Sequence, residues 1–194
     1  MGEDIHHKVY LYSKVEKKYI DALQLKEHTT VGFEYMFPTI WEGRNYDIFS
    51  IIAGSSRSCY DILPSANFGL PGFFEGTTIN EYLKRFKGSY YGYVWYYITD
   101  MYKDISKYML RLYDPFVYYE NEQCEFDSFK TNVEDRKYWV VETMPLIHLL
   151  NEINLNLEKY FRLKEEDETG YFNGKDVGDL VDIDKTIVLF WLDN

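Results

Sequence analysis

The polar residues best suited to chemistry gather in the first third of the chain. Gly43-Arg44-Asn45-Tyr46-Asp47 stands just before a short apolar pattern, and Arg57 follows ten residues after Asp47. Two arrangements fit this spacing. Arg44 and Asp47, at i and i+3, can form a local ion pair at a helix start, where the exposed N–H groups favour an aspartate. Arg44 and Arg57 can instead present two guanidinium forks beside a helix N-terminus, making a small site for an anion or a base edge. Other chemistries lack their residues. The four histidines, at positions 6, 7, 28 and 148, form no HExxH and no Cys/His cluster, so no metal is implied. His148, between Ile147 and Leu149, is expected as a partly buried structural side chain. No GxxxxGK[ST], GxGxxG or GxSxG run occurs, and no cofactor is implied. Cys59 and Cys124 belong to no CxxC pair and are expected as reduced thiols.

Recurring structure must hold those residues in place. Tyr46, Phe49, Ile52 and Ala53 fall on one helical face, and Gly54 suits a left-handed helix end, so 45–53 is expected as a short helix. Residues 5–13 and 19–25 are rich in β-formers and predict an N-terminal hairpin; 31–37 reads as extended. Glycines, prolines and serines make 54–76 a long loop. Thr78-Ile79-Asn80-Glu81 is a capping-box pattern opening a helix over 79–87. The aromatic run 89–98 reads as extended, with Thr99 capping a helix over 100–111. The longest helical pattern is 133–163. It steps through Val140, Met144, Ile147, Leu150, Ile153, Leu157 and Phe161, with Pro145 inside as a kink or as the first turn of a second helix. Thr186 to Leu192 reads as a buried strand. The expected fold class is α+β in a single domain over 1–194. A small, mostly antiparallel sheet containing the N- and C-terminal strands is packed by about four helices.

Charge bounds the function. The chain has 194 residues, with 21 Lys and Arg against 32 Asp and Glu, a net of −11. Residues 1–97 carry a net of −1 and residues 98–194 a net of −10. Such a balance opposes phosphate-backbone binding, so direct duplex DNA binding is not expected. It suits a partner with a basic surface. Two stretches concentrate the charge. Residues 114–135 hold seven acids and one base, and residues 165–184 hold eight acids and one base. Solvated loops are one reading of these runs. The other is a surface on which Glu120, Glu122, Glu125, Asp127, Glu165, Glu166, Asp167 and Glu168 stand in for phosphates and neighbouring aromatics for stacked bases. The first residues show no positive and apolar leader, and no apolar run reaches membrane-spanning length, so a non-membrane, intracellular chain is expected.

Several short motifs carry a resemblance. Gly43-Arg44-Asn45-Tyr46-Asp47-Ile48-Phe49 with Ala53-Gly54 is similar to the GRNYDLF…LA segment of a family of small phage and prophage proteins. Gly69-Leu70-Pro71 matches its RGLP element, with Phe68 in place of the arginine. Thr99 after an aromatic strand fits its SWLT segment, and Leu189-Phe190-Trp191-Leu192-Asp193-Asn194 resembles its VFWFDN ending. Relatives often carry a histidine before SWLT. Here the corresponding positions are Tyr93 and Trp95, so a role held by that histidine does not transfer. The acidic stretch 114–132 reads as an insertion into the family core. The resemblance implies a mobile-element protein acting in the cytoplasm of a bacterial host and, as in some members of the family, an anti-CRISPR role against Cas9 or its guide RNA.

Three functions follow as rivals. The first is a non-enzymatic inhibitor of host defence that lays its acidic, aromatic surface on the basic channel of a Cas9-type effector. The second is an enzyme trimming guide RNA, with Arg44, Asp47 and Arg57 binding or orienting phosphate and Tyr93 nearby; Asn45 and Tyr46 complete the candidate binding residues. The third is a sponge for a defence signalling nucleotide.

Overall fold

A computed structural model describes residues 4–22, 39–41, 43–55, 58, 60–74, 93–113, 133–161, 171–172, 175–176 and 180–193. The chain opens with β1 (Asp4–Ser13) and turns back into β2 (Tyr19–Asp21). Helix α1 spans Tyr46–Ala53. The short strand β3 (Asn67–Phe68) and a single 3₁₀ turn at Gly72–Phe74 follow. Strand β4 (Tyr93–Tyr97) runs directly into α2 (Ile98–Tyr113). Helix α3 spans Val133–Phe161. A small hairpin of β5 (Tyr171–Phe172) and β6 (Lys175–Asp176) precedes the long β7 (Val181–Asp193).

Five strands make an antiparallel sheet in the order β2-β1-β7-β4-β3. The two ends of the chain therefore lie side by side, with Ile5 opposite Leu192 and Val9 opposite Val188. This bears out the α+β expectation. Three helices of two turns or more stand among the described residues, against about four expected. The 79–87 helix and the 31–37 segment lie outside those residues.

Alternation in β7 divides the core. Val188, Phe190 and Leu192 point to the helices, together with Val9, Leu11, Val94 and Tyr96. Ile187, Leu189 and Trp191 point the other way, with Tyr10, Tyr93 and Phe74. Period-two alternation requires such a split when both faces of a strand are covered. On the helix side, α2 and α3 pack antiparallel. Asn154 of α3 donates to Ser106 Oγ of α2 at 2.8 Å, while Thr143 donates to the Leu112 carbonyl at 3.2 Å.

A boundary and a side chain differ from expectation. Helix α2 begins at Ile98, so Thr99 lies in its first turn and is not the cap. Ile98 is fully buried, and the apolar pattern of the strand continues unbroken into the helix. Helix α3 keeps Pro145 inside one element, so of the two expected readings the start of a second helix falls. Its buried line is Thr143, Leu146, Leu150, Ile153, Leu157 and Tyr160. That line leaves His148 exposed, because two residues turn an α-helix by about 200°, away from both Leu146 and Leu150.

Candidate functional site

The start of α1 is built from local sequence. Asn45 has extended backbone (φ −143°, ψ 115°), and its Oδ1 accepts from the N–H groups of Asp47 at 2.9 Å and Ile48 at 3.0 Å. An asparagine cap satisfies N–H groups that the helix itself cannot, and its loss costs about 1 kcal/mol. Gly43 lies against the Trp41 ring, where an added Cβ would come within 2.9 Å of Cζ2. At the other end, Gly54 takes φ 70°, and its N–H donates to the Ser50 carbonyl at 3.0 Å.

The candidate residues are only partly brought together. Asn45, Tyr46 and Asp47 share this helix start. Tyr46 packs edge-on against Phe49, with ring centroids 5.8 Å apart. Ser58 donates its hydroxyl to the Asp47 carboxylate at 2.6 Å, which ties the following loop to the helix start. Arg44 does not pair with Asp47; its Nε lies 3.6 Å from the Asp4 carboxylate, with both side chains more than half exposed. An ion pair that open to water contributes little. Two of the first N–H groups are thus occupied by Asn45, and the helix-start carboxylate is held by Ser58. The chemistry of this arrangement is that of a capped helix stapled to its neighbouring loop. Arg57 lies outside the described residues.

Tyr93 is elsewhere. It stands opposite Trp191 on the far side of the sheet, while α1 packs on the helix side. Burial raises the pKa of its hydroxyl above the ordinary tyrosine value. Around it lies a grouping of polar and aromatic side chains. Register places His6, Trp191 and Tyr93 in one row, Lys8, Leu189 and Trp95 in the next, and Tyr10, Ile187 and Tyr97 in a third. His6 stacks on Trp191 at 5.5 Å, Phe73 stacks on Tyr19 at 3.9 Å, and Phe74 meets Tyr10 edge-on at 5.0 Å. Lys8 donates to the buried Asp21 carboxylate at 3.0 Å. The hydroxyl of Tyr10 and the indole N–H of Trp191 are buried without a hydrogen-bond partner among the described residues. Burial, and secondarily the Asp21 charge, pushes the Tyr10 pKa well above its ordinary value.

Sequence reading passed over this grouping. Its signal was the alternation His6, Lys8, Tyr10, Tyr12 along β1, which places polar and aromatic groups on one face and Ile5, His7, Val9 and Leu11 on the other. His7 is used structurally, its Nε2 accepting from the Ile40 N–H at 3.1 Å.

The acidic candidates Glu120, Glu122, Glu125, Asp127, Glu165, Glu166, Asp167 and Glu168 lie outside the described residues. Their points of attachment do not. The 114–132 stretch joins the end of α2 to the start of α3, and the 165–168 run follows the end of α3. A 29-residue helix is about 42 Å long, so the two stretches attach far apart. No group of three or more metal-ligating side chains is present among the described residues. No described helix is long and apolar enough to cross a membrane. Compared with family models, curated proteins and solved structures, the chain matches none.

Proposed function

We propose that this chain is a mobile-element-encoded inhibitor of bacterial defence. In this reading it is an anti-CRISPR protein that binds a Cas9-type effector or its guide-RNA complex in the bacterial cytoplasm. The observation that carries the reading is the placement of charge. The first 97 residues are nearly neutral, and the remaining 97 carry a net of −10, concentrated in two aromatic-bearing stretches. A surface of that kind complements the positively charged channel in which such effectors hold the RNA–DNA heteroduplex. Attachment of the two stretches at opposite ends of α3 suits an extended basic surface better than a single small pocket. The motif resemblance supplies the host context. Binding is preferred to catalysis because Asn45 and Asp47 are engaged in the cap and the Ser58 contact, and Tyr93 lies on the other side of the sheet.

The test is capture of purified Cas9 by the immobilised chain, with and without guide RNA, across a salt series. Association with one of the two forms at low salt is expected. It should weaken as salt screens the charges, and weaken again when Glu165, Glu166 and Glu168 become Gln and Asp167 becomes Asn. Failure to capture either form at low salt overturns the proposal. Guide RNA shortened on a gel would favour the nuclease reading instead.

A further inference from the structure

We draw no further inference here: the strongest candidate, the polar-aromatic layer on the far side of the sheet with its unpartnered Tyr10 hydroxyl and Trp191 indole N–H, is already buried, and nothing in the structure shows what covers it.

Discussion

Phe190 and Leu189 are neighbours in β7, yet they belong to two different interiors. Phe190 faces α1, α2 and α3 in a layer dominated by Ile, Leu and Val. Leu189 faces a layer of tyrosine, tryptophan and phenylalanine, crossed by the Lys8–Asp21 ion pair. On the helix side, the buried Tyr96 hydroxyl donates to the Ile52 carbonyl at 2.9 Å. On the far side, the equally buried Tyr10 hydroxyl has no acceptor among the described residues. Both sides remove apolar surface from water. Both also bury polar groups without partners among the described residues, the Trp41 indole N–H and the Asn154 side-chain oxygen on the helix side and the Tyr10 hydroxyl and Trp191 indole N–H on the far side, and each such group reduces the net gain.

The largest expected effects test whether both interiors are true cores. Phe190→Ala should destabilise by about 3–5 kcal/mol, and Leu189→Ala by about 2–5 kcal/mol, as large-to-small changes at fully buried sites do. Urea unfolding followed by circular dichroism measures both. A Leu189→Ala variant within about 0.5 kcal/mol of the parent would make the far side a loose veneer and break the comparison.

Alkaline pH acts on both sides at once. Tyr96 and Tyr160 on the helix side and Tyr10 on the far side all have hydroxyl pKa values raised, chiefly by burial. Below pH 10 these groups are protonated in the folded and unfolded chain alike. Above it the unfolded chain ionises while the folded chain does not, so stability falls as pH rises. Each such group removes about 1.4 kcal/mol per pH unit above 10, and three remove about 4 kcal/mol by pH 11. Urea midpoints at pH 8 to 11, read beside tyrosinate absorbance, check this. Folded-state titration of all the tyrosines near pH 10 would contradict it.

The ion pair carries a smaller effect. Lys8→Met leaves the Asp21 carboxylate without its cation in a mostly dry site, at a cost of about 1–3 kcal/mol, reduced because Lys8 is itself partly exposed. A variant as stable as the parent would mean that Asp21 is sustained by other contacts.

What could be read from sequence follows from how local each feature is. The end of α1 was legible because Gly54 acts through bonds to residues within six positions, while the start was set one residue early because Asn45 is the cap and not the first helical residue. The terminal strands were legible from composition. The start of α2 was not, because β4 and α2 share one buried apolar run with no break at Ile98. His148 was misplaced because Ile147 and Leu149 beside it are themselves partly buried, which hides where the buried line runs. The partners of Arg44 and Lys8 were beyond local reasoning altogether. Asp4 lies forty residues from Arg44, and the approach of Asp21 to Lys8 depends on the register of the β1–β2 turn. Of the candidate site, the residues at the helix start were found, but the tie from Asp47 to the following loop depended on Ser58, which no motif marked.

The smallest expected effect discriminates best between the two interiors. Tyr96→Phe removes a hydroxyl that satisfies the Ile52 carbonyl, so it should cost about 1–2 kcal/mol. Tyr10→Phe removes a hydroxyl with no partner, so it should be neutral or stabilising by up to about 1 kcal/mol. It should also lessen the alkaline loss by one tyrosine's share, since phenylalanine has nothing to ionise. Both variants keep the ring, with its edge-on contact to Phe74 at position 10 and to Phe190 at position 96, so packing is held constant. If Tyr10→Phe instead costs as much as Tyr96→Phe, the hydroxyl has an acceptor in solution, and a buried water is the simplest one. The far side would then be a hydrated layer, and its orphaned donors would mark water positions between the aromatic rings.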